Sequence, residues 1–364
     1  MRHAQCRRQN LSNPKEPFLT NVDGISLVSL YGSWHEMGRQ YGFLVKEHLK
    51  SVLDYVCARL GGDGERMAKA LEIADSLYGQ GKDYVREFMD GAAETSGMSL
   101  EQLKLCNAAE YVEGCFLCSA MAAWGGYARG PLVVGRNYDA VSYREIDRDV
   151  LVTVYHPDGC LAMATVGYAG EIYCVNGMNE KGLFVELNNG MPSAGWDIHW
   201  DMCPGTSELF DMLMRAASLD DVDRFFHETR SSASFIIGVA DGSEARAYEW
   251  CHDGVKCDRG ASQGLMVRTN HYRCPLWPYA EPSDGESWNS VTRLSNLAAQ
   301  AAKHKGEIDV PLMKSIMSTS IADGGPCHDL TRYRIVAVPG ELTMHIYLPY
   351  RNGWSQIHMA DYFG

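Results

Sequence analysis

The hydrophobic rhythm of the chain changes once, and the change falls between Tyr111 and Cys118. Before it, from Trp34, apolar residues recur at three- and four-residue steps, as at Met37, Tyr41, Leu44, Val45, Leu49 and Leu53. That spacing lines one face of a helix. After it, apolar residues alternate in twos between tight turns, the pattern of half-buried strands. A helical stretch over 34–112 followed by a strand-rich remainder is an α+β chain.

Residues 1–24 read as a polar arm, and Ile25–Tyr31 alternates like a short strand. Ser33 is placed to cap the helix that starts at Trp34, with Gly38 and Gly42 allowing close packing. More helix is expected over Met67–Thr95. Ser99 and Gln102 have capping-box spacing for another helix to about Tyr111. Strands are expected over Val150–Tyr155, Cys160–Val166, Gly170–Val175, Gly182–Leu187 and Gly264–Arg268, with hairpins at Phe235–Trp250 and Tyr333–Leu348. Helices are expected over Thr206–Ala217, Asp220–Thr229, Trp288–His304 and Val310–Ser318. Two hairpin-rich regions separated by helical pairs predict stacked antiparallel sheets with helices on their outer faces. No repeat and no long Gly/Ser/Pro linker divides the chain.

The junction carries the chemistry. Cys118 opens a strand through Trp124; a glycine-rich turn follows, and a returning strand ends in Gly135-Arg136-Asn137-Tyr138-Asp139. A hairpin would bring Cys118 near Arg136 and Asp139, and a neighbouring guanidinium favours the thiolate. Cys115 and Cys118 also form a C-x-x-C pair, which admits a redox couple or half a zinc site. A structural zinc site needs a second pair, for which Cys251-His252 with Cys257 is the nearest approximation. His35-Glu36 is not a zincin motif, because Arg39 stands where the second histidine belongs. His156, His252, His271 and His328 are the imidazoles that a cysteine dyad could use, but no family-specific neighbourhood surrounds them, and each reads as a neutral or surface histidine.

Twelve cysteines scattered over 364 residues suit a reducing compartment better than a secreted disulfide scaffold. A net charge of −13, with no basic run beyond Arg7-Arg8, argues against nucleic acid and anionic membrane as partners. Gln9–Glu16 is polar where an apolar leader segment would follow Arg7-Arg8. The expectation is a cytoplasmic protein.

Cys118-Ser119-Ala120 followed by Gly135-Arg136-Asn137-Tyr138-Asp139 resembles the cysteine branch of the N-terminal-nucleophile (Ntn) hydrolases. That branch holds the choloylglycine hydrolases and the acyl-coenzyme A:6-aminopenicillanate acyltransferase group. Further matches follow in order. Gly32-Ser33-Trp34-His35-Glu36-Met37-Gly38 resembles the opening of acyltransferase-group precursors. Met178-Asn179-Glu180-Lys181-Gly182-Leu183 resembles the stretch that ends in an oxyanion asparagine, here Asn188 with Asn189 as the alternative. Thr269-Asn270-His271 resembles an element whose asparagine is at the active site, and Ser290-Val291-Thr292-Arg293 one that supplies a second arginine.

The resemblance implies an αββα four-layer sandwich preceded by a helical pro-region, with cleavage after Leu117. Residues 1–117 would be the α-chain and 118–364 the β-chain of one structural unit. The site would comprise Cys118 as nucleophile and base, Arg136, Asp139, Asn188, Asn270 and Arg293, with no cofactor and no metal. Phe116-Leu117 and the extra Cys115 depart from the family pattern beside the cut. The implied activity is self-processing, then hydrolysis of a linear non-peptide C–N amide or transfer of its acyl group. Partners would be a small-molecule amide, an acyl donor such as acyl-CoA, and, where it assembles, a second copy of the chain. The competing readings are a thiol protein that is redox-active or metal-binding at Cys115/Cys118, and an unprocessed binding member.

Overall fold

A computed structural model describes residues 16–113, 116–258, 264–351 and 353–364. The expectations that rest on Arg7-Arg8 and on Cys115 lie outside these residues.

Strands β1 (Phe18–Val22) and β2 (Ile25–Gly32) form a hairpin whose turn, Asp23-Gly24, has positive φ at both positions. The expected polar arm is therefore a strand at residues 18–22. Its side chains are mostly exposed, so no apolar alternation marked it, and pairing with β2 satisfies its backbone. Helix α1 (Trp34–Leu44) starts at the Ser33 cap, and α2 (Lys46–Leu60) follows a break at Val45, whose φ of −111° and ψ of 19° leave helical geometry. Next come α3 (Gly64–Gln80), α4 (Asp83–Ser96), α5 (Leu100–Asn107) and α6 (Ala109–Glu113), with the Ser99/Gln102 capping box formed at α5. Helices α1 and α4 meet backbone to backbone. A Cβ built on Gly38 would lie 2.0 Å from the Phe88 carbonyl oxygen, and one on Gly91 2.1 Å from that of His35.

Beyond the helices run β3 (Phe116–Ala123), β4 (Val133–Ala140), a 3-10 turn (Arg144–Asp149), β5 (Val150–Pro157), β6 (Met163–Tyr168), β7 (Asn176–Asn179) and β8 (Phe184–Asn189). They are followed by α7 (Met191–Ala194), α8 (Gly205–Arg215), α9 (Leu219–Glu228), β9 (Phe235–Ala240), β10 (Ala245–Cys251), β11 (Gly254–Asp258) and β12 (Leu265–Arg268). The chain closes with α10 (Ser290–Lys303), α11 (Val310–Ser318), β13 (Thr331–Val338), β14 (Thr343–Tyr347), β15 (Trp354–His358) and α12 (Ala360–Phe363). The strand expected over Gly170–Val175 is absent. Gly170 has a φ of +95°, and the amides of Gly170 and Ile172 donate to Tyr41 and Asn107 side chains instead of a ladder.

The strands form two sheets, ordered β1-β2-β5-β6-β7-β8-β9-β10-β11 and β12-β3-β4-β13-β14-β15. Both are antiparallel except where β2 pairs β5 in parallel, which corrects the expected purely antiparallel arrangement. A parallel pair requires a long crossover, and everything from α1 to β4 supplies it. The sheets face each other with β3 over β8; α1, α8 and α9 cover the larger sheet and α10 and α11 the smaller. Alternation along β3 feeds both sides of its sheet. Cys118 and Ala122 enter the core between sheets, while Met121 and Ala123 pack with Leu297, Met313 and Met317 of the outer helices. The result is a four-layer αββα molecule to which the helical region adds two strands.

Candidate active site

Register decides which groups meet. Across the β3–β4 pair, Cys118 stands opposite Tyr138, Ala120 opposite Arg136 and Leu117 opposite Asp139. Directly opposed residues share a face and neighbours alternate. Cys118 and Arg136 therefore point into the space between the sheets, and Asp139 points toward α10.

On the inner face the Arg136 guanidinium is fully buried and uses all three nitrogens. Its Nη2 donates to Cys118 Sγ at 3.1 Å and to the Leu187 carbonyl. Its Nη1 donates to Glu186 Oε2 at 3.1 Å and to Asn188 Oδ1, and its Nε to Asn176 Oδ1. Because Asn188 Oδ1 faces the guanidinium, its Nδ2 faces away, and that buried donor has no partner. Asn189 is engaged differently: its Oδ1 accepts from the Met191 amide. Burial pushes the Cys118 thiol up to about 11, with Arg136 pulling against it, so the intact chain holds a protonated thiol near neutral pH. Burial likewise raises Glu186 to about 7 against the opposing pull of Arg136.

On the outer face the groups hold the backbone of Cys118. Its amide donates to Asn270 Oδ1 at 2.9 Å, and its carbonyl accepts from Arg293 Nη1 at 2.6 Å. Arg293 Nη2 donates to the same Asn270 oxygen at 2.8 Å, and Asn270 Nδ2 donates to the Asn189 carbonyl. Asp139 accepts from Thr331 at Oδ1, while its buried Oδ2 lies 3.8 Å from Arg293 Nη1 and makes no hydrogen bond. Burial raises its pKa despite Arg293. Five of the expected residues, Arg136, Asp139, Asn188, Asn270 and Arg293, thus gather around the sixth, Cys118.

Cys118 lines a cavity of about 70 Å³ whose walls include Val175, Leu187, Met191 and Phe235 and whose polar end holds Glu110 and Tyr138. Tyr138 OH donates to Glu110, which burial keeps at a pKa of about 7. Sequence reasoning missed Glu110, Asn176 and Thr331 as site residues and passed over Glu186. Glu110 reads as an ordinary charge on an amphipathic helix, and only the fold turns it inward.

The four candidate histidines have other surroundings. His271 Nδ1 lies 2.8 Å from Ser290 Oγ, His328 2.6 Å from Asp329, and His156 stacks on Tyr31, while His252 sits on the β10–β11 turn. There Cys251, His252 and Asp253 bring potential metal ligands within 4.8 Å of one another, and none of the three lines the Cys118 cavity.

The family model described as acyl-coenzyme A:6-aminopenicillanic acid acyl-transferase matches residues 128–317. No curated protein matches the chain by sequence. Among solved structures, an N-acylethanolamine-hydrolyzing acid amidase ortholog from Caenorhabditis elegans is similar at 17% identity and a TM-score of 0.49, over 68% of this chain and 97% of that one. A variant of conjugated bile acid hydrolase from Clostridium perfringens is similar at 13% identity and 0.48, over 67% and 93%. Penicillin V acylase from Agrobacterium tumefaciens is similar at 10% identity and 0.39, over 68% and 79%. No helix among the described residues is long and apolar enough to cross a membrane.

Proposed function

The chain belongs to the acyl-coenzyme A:6-aminopenicillanic acid acyl-transferase family of Ntn-type amide hydrolases and acyltransferases, and from that premise we propose that it cuts itself after Leu117 and then works through the new N-terminal Cys118. One observation carries this reading: the residue whose thiol touches Arg136 also has its amide and carbonyl gripped by Asn270 and Arg293.

In the first step Cys118 Sγ attacks the Leu117 carbonyl carbon. The C–N bond breaks, the nitrogen takes the thiol proton, and Leu117 is left as a thioester on sulfur. Water then hydrolyses the thioester and restores the thiol, leaving a carboxylate on Leu117 and an α-amine on Cys118. That amine has an ordinary pKa of about 8, which suits it to act as base for its own thiol. Asp139 stands opposite Leu117 in the register, and its Oδ2, which makes no hydrogen bond, can accept from the α-ammonium.

In turnover the thiolate, held by Arg136, attacks a substrate amide carbonyl. The unpartnered Asn188 Nδ2 donates to the oxyanion, and the α-ammonium protonates the leaving amine. Water, or a second amine, takes the acyl group from sulfur. The substrate is a linear non-peptide amide, and the apolar cavity walls favour an aliphatic or aromatic acyl group over a charged one.

Intact mass under denaturing conditions tests the premise of this mechanism. Wild type should give two chains, 1–117 and 118–364, and Cys118→Ala one. A single full-length chain in both would sink self-processing and return the thiol-protein reading to the front.

A further inference from the structure

Behind the catalytic strands lies a second and larger cavity, of about 600 Å³, on which Arg144, Arg332 and Arg334 converge. We propose that this cleft is a binding site for a phosphate-class dianion, separate from the amide-cleaving pocket.

The strand places two of the arginines. Tyr333 stacks on Tyr138 inside the molecule, with ring centroids 4.4 Å apart. Arg332 and Arg334 flank it in sequence and leave on the other side, into the cleft. Arg144 enters from the 3-10 turn after β4.

Among the described residues none of these guanidiniums has a carboxylate within the 4.0 Å of an ion pair. Arg332 donates instead to the carbonyls of Leu330 and Asp329. Arg334 donates to Cys327 Sγ at 3.0 Å and lies over the Tyr347 ring, while its buried Nε has no partner. The acids that face the cleft, Asp147 and Asp329, offset them only in part, two carboxylates against three guanidiniums. Asp329 pairs with His328 at 2.6 Å, and burial raises Asp147 to about 6 although Arg332 and Arg144 act against it.

In a chain of net charge −13, three guanidiniums share this cleft with two carboxylates, neither of them in an ion pair with an arginine, and the excess of positive charge attracts an anion. Planar forks of this kind match phosphate oxygens bidentately. The volume falls within the roughly 300–1,000 Å³ of small-molecule sites. Ser320 and Thr331 also line it, with their hydroxyls donated to Asp323 and Asp139, and Tyr350, 41% exposed, stands at the rim. A bound anion would also meet Thr331, whose hydroxyl holds Asp139.

Calorimetric titration of full-length Cys118→Ala protein, which neither cleaves nor turns over, tests the site with pyrophosphate and with coenzyme A as probes. Saturable one-to-one binding is expected, weakened by added salt and at least tenfold weaker in Arg144→Gln, an exposed position that the fold tolerates, and in Arg332→Gln. Equal affinity for the two probes would mean a free-anion site, and a tenfold preference for coenzyme A a site for a nucleotide-bearing carrier; either supports the proposal. Absence of saturable binding at millimolar probe, or binding unchanged in both arginine variants, overturns it.

Discussion

The two faces of the β3–β4 hairpin each bury an arginine beside a carboxylate, and they complete the pairing differently. On the inner face Arg136 and Glu186 touch at 3.1 Å, and every guanidinium nitrogen is spent. On the outer face Arg293 is spent on the backbone of Cys118 and on Asn270, and the Asp139 oxygen 3.8 Å from it makes no hydrogen bond. A buried acceptor without a donor costs roughly 1–3 kcal/mol. That cost makes sense where a charge is still to appear: cleavage at Leu117 would create an ammonium beside Asp139. Glu186 Oε1 and Asn188 Nδ2 on the inner face are also without hydrogen bonds, so the faces differ in which open atom lies beside the Leu117 position: only the Asp139 oxygen does, where the proposed cleavage would place an ammonium.

The largest effect should come from the outer face. Asp139→Asn keeps the shape and removes the anion that would hold the α-ammonium. Turnover in processed protein should fall roughly 10²–10⁴-fold, the usual weight of acid–base control. Steady-state kinetics on an N-acyl amide panel would check this, and wild-type rates would break the assignment of the open oxygen.

Arg136→Met tests the inner face by stability. Removing one member of a buried pair costs about 3–5 kcal/mol, and urea unfolding at pH 8 should show a loss of that order. The loss should shrink below pH 7, where Glu186 can take up a proton and need no partner. A pH-independent loss would mean that packing, not charge, is what Arg136 contributes.

Asn188→Ala removes the unpartnered amide donor, and kcat should drop ~10²–10³-fold with KM little changed. A rise in KM alone would recast Asn188 as part of the binding surface.

The smallest effect is a slope. Glu186 has a folded pKa of about 7 and an ordinary value of 4.5, so between these the unfolded chain gives up its proton first. Fewer protons bound in the unfolded state means that stability falls as pH rises through this window. Wild type should therefore lose stability more steeply than Glu186→Gln from pH 4.5 to 7. Parallel curves would place the ionised carboxylate in a compensated site and erase the contrast between the faces.

What could be read from the residues was local or ordered. The change of rhythm near residue 113, the Ser33 and Ser99 caps and the Cys118 hairpin depend on neighbours a few residues apart, where periodicity and turn chemistry act directly. The order of Arg136, Asp139, Asn188, Asn270 and Arg293 was legible because each sits in a short motif. Their convergence was not, since Asn270 and Arg293 reach Cys118 from 152 and 175 residues away. Alternation alone puts Arg136 and Asp139 on opposite faces of their strand; tertiary structure decided which distant groups meet each face, that β2 pairs β5 in parallel, and that Glu110 and Glu186 lose their water. A charge in a sequence carries no mark of burial. Whether it stays solvated or acquires a shifted pKa is set by which distant strands close over it, and that is a property of topology, not of local pattern.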